Sequence, residues 1–268
     1  MQGATTEYYE QEQMFHGFIP HIMGTKFDLL LFHGNQSVLQ SVWENICSTL
    51  ERLDGTMNKF DPRSEVYALN SYKPETPLPV SDELRAILSL CGEYYERTCH
   101  LFDITLSDFG LVQLTEEGIS FASPTICLDF GGFGKGYALK KIENIISEHG
   151  IAHAFVNFGN SAILGMGHHP YGDGWKVGFV NPYNGCTLHE FNLQNSALST
   201  SGNTPQFYGH IIRPESREAN RSMQASTVTD ADPLEAEVLS TVWMIANEEE
   251  KNRIKACFPH MQATLYNL

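Results

Sequence analysis

Basic residues are scarce in this chain. Of 268 residues only 17 are Lys or Arg, against 32 Asp or Glu, giving a formal net charge of −15. Such a surface repels nucleic acid and anionic lipid, so neither is an expected partner. An anionic ligand is repelled at long range as well. It can bind only where backbone N–H groups, a lysine or a divalent cation overcome that field locally. Cysteine pairs are also missing. Cys47, Cys91, Cys99, Cys127, Cys186 and Cys257 form no CxxC, which removes zinc-type spacing and leaves buried or surface thiols. No apolar run approaches the ~20 residues that cross a bilayer. The polar start, Met1 to Gln13, lacks the basic, apolar, small-residue order of a signal peptide. If Met1 is the natural start, that points to the cytoplasm. Low-complexity segments, linker-like composition breaks and solenoid-period repeats are absent too.

What remains suits one large domain or two intimately packed halves, long enough to bury a substantial core. Residues 1–22 read as a polar extension and 23–268 as the folded body. Lys26–Phe32 reads as a buried strand, followed by a Gly34-Asn35 turn. A helix opens at Ser37, with Val38, Val42, Ile46 and Leu50 on one face, and closes at Asp54-Gly55. Another begins at Ser81, with Leu84, Ile87, Leu88 and Cys91 as its stripe. Thr125–Phe130 reads as a short strand running into a glycine-rich turn. A helix follows, with Ala138, Leu139, Ile142, Ile145 and Ile146 on one face and Gly150 as its stop. From Ala154 to Val228 come short strands: AFVNF, WKVGFV, LHEFNL, ALST and GHII. Helices are expected at about 234–246 and 253–257. Helices punctuating antiparallel strands give an α+β class.

Three clusters carry chemistry. Asp129-Phe130-Gly131-Gly132-Phe133-Gly134-Lys135-Gly136 is a strand, a glycine turn and a helix start, an arrangement that binds anions through free N–H groups and the helix dipole. It lacks the first glycine and the Ser/Thr of a Walker A loop, and its GxGxG order is not the dinucleotide fingerprint. A tight structural turn is the alternative. The second cluster is Ala197–Gly202, hydroxyls at a strand end, followed by His210 inside an expected strand. The third is Glu237 and Thr241, four apart, so that on a helix both oxygens face one way and suit a hard cation.

Taken in order, these segments resemble the ApbE family of FAD:protein FMN transferases, from Met23 to Ala246. Met23-Gly24-Thr25 is similar to its opening MGT, and MNKFDPRSEVYALN (Met57–Asn70) to its motif of an aromatic, a proline, Ser-Glu and a closing Asn. FDIT (Phe102–Thr105) resembles FDPT, Asp129–Ala138 resembles DLGGIAKGYA, and Val156–Asn160 resembles VNLGG. Thr200-Ser201-Gly202 matches TSG, His210-Ile211-Ile212 matches HII, and Glu235–Thr241 falls on EADALAT.

The resemblance implies two similar antiparallel-sheet-plus-helix halves packed together, T-fold-like, with FAD between them. It implies magnesium-dependent transfer of FMN from FAD to a threonine of a partner protein in a flavin-dependent redox system, releasing AMP. FAD pyrophosphatase activity and non-catalytic FAD binding are the alternatives. Lys135 and His210 are the implied catalytic pair, His210 as general base. Gly131, Gly132, Gly134, Lys135 and Gly136 are implied at the pyrophosphate. Met23, Phe60, Asp103, Thr105, Asp129, Asn157, Gly159, Thr200, Ser201, Gly202 and His210 are implied elsewhere along the cofactor, with Phe60 stacked on the isoalloxazine. Glu237, Thr241 and a carbonyl near Gly134 are the implied metal ligands. Family members usually work as exported proteins. The chain departs from the pattern at Glu237 (family Asp), Arg213 (family Asp), Lys140 (family acidic) and Asn160 (family Gly), and Pro214–Arg217 lacks the family's Thr-Gly.

Overall fold

The computed structural model describes residues 2–268. In chain order the elements are β1 (Thr5–Tyr9), β2 (Met14–Ile22), β3 (Thr25–Phe32), α1 (Gln36–Met57), α2 (Glu65–Tyr72), α3 (Asp82–Arg97), β4 (Val112–Thr115), β5 (Gly118–Phe121) and α4 (Gly134–Glu148). There follow β6 (Ala154–Phe158), β7 (Ala162–Met166), β8 (Trp175–Val180), β9 (Thr187–Leu193), β10 (Ser196–Gly202), β11 (Ile212–Arg213), β12 (Glu218–Ala219), β13 (Gln224–Asp230), α5 (Pro233–Trp243), α6 (Glu248–Cys257) and β14 (Gln262–Asn267). Eight strands form one sheet in the order β1-β2-β3-β6-β7-β10-β13-β14, every neighbour antiparallel. The expected α+β class therefore holds. The main sheet is continuous, with β6 between β3 and β7.

Alternation decides which face each strand buries. Phe27, Leu29 and Leu31 of β3 point into the main core beneath α1, α4 and α5. On the opposite face Phe32, Ile163, Leu198, Trp175, Val177 and Leu193 make a second core, which seats the β8–β9 hairpin on the sheet. In β2 the pattern MFHGFIPHI buries Phe15, Gly17, Ile19 and Ile22. A Cβ on Gly17 would lie 2.4 Å from the Trp43 ring, so glycine is what lets α1 lie down on the sheet. Residues 1–22 are thus not merely an extension. Within the described residues they supply two strands and part of the core, Met1 lying outside them.

Two other expectations change. Val38 is 38% exposed and Leu39 takes its place on the buried face of α1, because four-residue steps drift by about 40° each from the 3.6-residue turn; Asn35, whose side chain accepts from Val38 N, caps the helix. Thr125–Phe130 is not a strand. It is held by side chains, with Asn70 Nδ2 donating to Leu128 O (2.9 Å), Asn70 Oδ1 accepting from Leu128 N (2.7 Å) and Lys73 bonding Ile126 O. The closing Asn of the Met57–Asn70 motif is therefore a clamp on the segment that leads into the glycine turn.

Candidate active site

One end of the sheet opens into a cavity of about 1500 Å³. The β2–β3 turn, the β6–β7 turn, the end of β10 and the start of β13 floor it, and the residues after α1, before α4 and along α5 wall it. Met23 and Gly24 both have positive φ (47° and 80°), the signature of a tight hairpin turn. A methionine held there is strained backbone at the cavity rim. Its Cε would meet a Cβ on Gly134 at 3.1 Å, so Met23 packs directly on the glycine turn.

Among the described residues, five of the six α-helices carry a side-chain N-cap: Asn35, Ser64, Ser81, Asp232 and Asn247. The sixth, α4, has none. Its first turn lies on the cavity wall, where Gly134 N donates to Phe130 O (2.8 Å) and the uncapped N–H groups that follow can meet a ligand. Asp129 braces the turn behind it. Its Oδ1 accepts from Gly131 N (2.9 Å), and its Oδ2 accepts from Lys59 Nζ (2.6 Å). That ammonium also lies 4.9 Å from the ring centroid of Phe60, which is 80% exposed at the rim.

The opposite wall is α5. Glu237 is buried, with one carboxylate oxygen on the Lys135 ammonium and the other accepting from Ser199 Oγ at 2.6 Å. Thr241 stands one turn on, its Oγ1 3.1 Å from Ser201 Oγ. A Cβ on Gly132 would lie 3.3 Å from that same Oγ1, so the glycine turn reaches the α5 hydroxyl. Hard oxygens one turn apart fit a hard cation, and the Lys135 ammonium already places a positive charge against the carboxylate. Among the described residues no cluster of three or more His, Cys, Asp or Glu side chains is positioned to hold a metal. A cation here would depend on Glu237, Thr241, main-chain oxygen and the ligand's own oxygens.

His210 lies on the cavity wall in irregular backbone rather than in the expected GHII strand, since pairing begins only at Ile212. Burial pushes its imidazole below the ordinary range. A hydrogen bond with the Phe207 backbone opposes that shift, and the charge of Lys135 adds to it. The loop is tied from within by Asn203, which is fully buried. Its Nδ2 donates to Asn220 O (3.0 Å) and Ser222 O (2.9 Å), and its Oδ1 accepts from Gly209 N (2.8 Å). Arg213 does not enter the cavity. It bonds Glu250 and Ile245 O (2.8 Å), anchoring the loop to α6 and the segment after α5.

Of the residues expected at the site, all but two line this cavity. Thr105 is buried beside Asp103, whose Oδ1 accepts from both Thr105 N and Thr105 Oγ1 at 2.7 Å, so the FDIT motif builds a turn. Gly136 faces α5 instead. A Cβ there would sit 2.5 Å from Glu237 Cβ, so this glycine sets the α4–α5 contact. Sequence reasoning missed Lys59, Ser199, Asn203 and Phe207. Ser199 was visible as the first hydroxyl of the Ala197–Gly202 cluster, whereas nothing local marks Asn203.

The ApbE family model matches residues 23–114 and 106–265. The chain belongs to the ApbE family. A FAD:protein FMN transferase of Chlamydia trachomatis is 24% identical over 212 residues, covering 65% of this chain and 65% of that protein. One of Rhodobacter capsulatus is 28% identical over 153 residues, covering 53% and 28%. The chain thus spans less than two thirds of the length of these curated relatives. Among solved structures, the flavin transferase ApbE from Vibrio cholerae has a TM-score of 0.81 at 17% identity, covering 97% of this chain and 94% of that one. The ApbE protein from Thermotoga maritima has a TM-score of 0.81 at 19% identity, covering 95% and 97%. At these identities the structural likeness establishes an ApbE fold.

Proposed function

We propose that this ApbE-family chain is an FMN transferase that takes FAD and moves FMN onto a threonine of a partner protein, releasing AMP. The supporting observation is one cavity that holds an uncapped helix N-terminus with Lys135 on one wall and a neutral-leaning imidazole, His210, on another. Its volume exceeds the ~300–1000 Å³ of common small-molecule pockets, leaving room for a dinucleotide and an acceptor segment.

The α4 N–H groups and Lys135 bind the diphosphate, and Phe60 offers an exposed face to the flavin ring. The acceptor threonine Oγ attacks the phosphorus on the riboflavin side. A new P–O bond joins FMN to the threonine, the bond from that phosphorus to the bridging oxygen breaks, and AMP departs with that oxygen. His210 accepts the hydroxyl proton, for which a depressed pKa keeps it unprotonated at neutral pH. Glu237, Thr241 and a main-chain carbonyl near Gly134 are the groups that would hold magnesium. When bound, the ion neutralises phosphate charge. Glu237, longer than the family's aspartate, is kept in place by Lys135 and Ser199.

The test is chromatography of FAD incubated with magnesium, with and without a threonine-bearing acceptor from a flavin-dependent redox system. AMP together with covalent flavin on the acceptor is expected. AMP without need of an acceptor would make the chain an FAD pyrophosphatase. FAD bound with no AMP in either tube would reduce it to a flavin binder.

A further inference from the structure

The Glu237 carboxylate is 4% exposed and the Lys135 side chain 19% exposed, so this ion pair is largely out of water. A buried carboxylate without a counter-charge is strongly destabilising. The second Glu237 oxygen is held by Ser199, which is itself 3.1 Å from Ser240 Oγ, so the carboxylate does not turn freely to find another partner. Lys135 is therefore the resident counter-ion of Glu237 in the ligand-free protein. Yet Lys135 also occupies the first turn of α4, where an anion would bind. Of the other ammonium groups on the cavity wall, Lys59 is tied to Asp129, and Lys176 lies 3.8 Å from Glu190 with 72% of its side chain exposed.

We propose that Lys135 is an exchangeable counter-ion: a divalent cation entering at Glu237 displaces the ammonium, which turns to the diphosphate, so cation and dinucleotide bind cooperatively. This rests on the functional reading above. Charge counting supports it. Lys135 and Glu237 together are neutral. With a divalent ion added they carry two positive charges, matching the two negative charges of a diphosphate bridge. Without the dinucleotide, the cation must enter against a like charge already in place, which weakens its binding. Linkage then requires that each ligand tighten the other by the same factor.

Manganese(II) serves as the probe, with free ion read by electron paramagnetic resonance and FAD binding by flavin fluorescence. In the wild type, FAD should tighten manganese binding on the order of tenfold, and manganese should tighten FAD binding by the same factor. Equal manganese affinity with and without FAD would overturn the proposal. In Lys135→Gln, manganese binding without FAD should strengthen on the order of tenfold, because the competing charge is gone. A lysine that serves only the phosphate would leave that affinity unchanged, and this result too would overturn it. If Lys135→Gln does not fold, the same manganese titration of Lys135→Met decides, since the dinucleotide's own oxygens would couple the two ligands in the wild type without any exchange. If FAD does not bind the wild type at all, the functional reading fails, while the manganese affinity of Lys135→Gln still tests the exchange.

Discussion

His210 shows how one residue's surroundings set its chemistry. Desolvation and the nearby Lys135 charge favour the neutral imidazole, and the Asn203 clamp holds the loop that carries it. His210→Ala should lower kcat/KM for FMN transfer by about a hundredfold to ten-thousandfold. The wild-type rate should rise with pH along an acid limb whose midpoint lies below the ~6.5 of a solvated imidazole. A midpoint at or above that value, or a near-wild-type His210→Ala rate, would remove His210 from the role of base. Phe60 is the opposite case, an aromatic left 80% exposed with the Lys59 ammonium 4.9 Å from its ring centroid. Its replacement by Ala gives up little packing, so the melting temperature should hold. FAD affinity should fall by about tenfold, equivalent to roughly 1.4 kcal/mol of lost ring contact. Unchanged affinity by fluorescence titration would place the flavin elsewhere.

The elements show where sequence reading succeeds and where it stops. Helices α1, α3, α4 and α5 were legible because apolar residues recur at helical spacing between plain start and stop residues. Strands β6 and β8 were legible by alternation, which β9 keeps only over Phe191 and Leu193. The segment 125–130 misled because Ile126, Leu128 and Phe130 alternate into the main core as a strand's would, while its backbone is paired by side-chain clamps from α2 instead of by a neighbouring strand. Strand β2 was missed because histidines and a proline mask its alternation. The glycine turn, Glu237, Thr241 and His210 were singled out from sequence, and they line the cavity. Ser199 was visible only as one hydroxyl of its cluster and Asn203 was not marked at all, because their roles arise only when distant segments meet. Gly136 was read as a phosphate residue, but it mainly governs how closely α4 and α5 approach. A Cβ there would fall 2.5 Å from Glu237 Cβ and 2.9 Å from Pro233 O, with backbone on one side unable to yield. Gly136→Ala should therefore destabilise by about 1–3 kcal/mol in urea denaturation and displace Glu237. Stability equal to wild type would mean that α5 shifts freely, and that the cation wall is less fixed than described.

At the scale of the whole molecule, the net charge of −15 opposes the approach of an anionic dinucleotide. Added salt screens that repulsion, with a Debye length near 10 Å at 0.1 M, so FAD association measured by stopped flow should quicken from low to moderate salt. A falling rate would instead show that the lysines at the cavity steer the ligand. A histidine group sits at the far end of β6 and β7. His153 lies between His33 and His168, with ring centroids 5.3 Å and 4.3 Å away, and its Nδ1 is 3.1 Å from His168 N. Burial lowers the His153 pKa, the neighbouring His168 lowers it further, a backbone hydrogen bond to His168 opposes this, and His33 adds a smaller push downward. A histidine whose folded pKa is depressed binds fewer protons folded than unfolded. Its contribution to stability is therefore complete above the unfolded value near ~6.5 and is lost as pH falls through the folded one. Denaturation midpoints of the wild type should drop between neutral pH and about pH 5.5. In His153→Gln, where no imidazole remains between the other two, that drop should shrink. An identical slope in both proteins would assign acid sensitivity to the carboxylates instead.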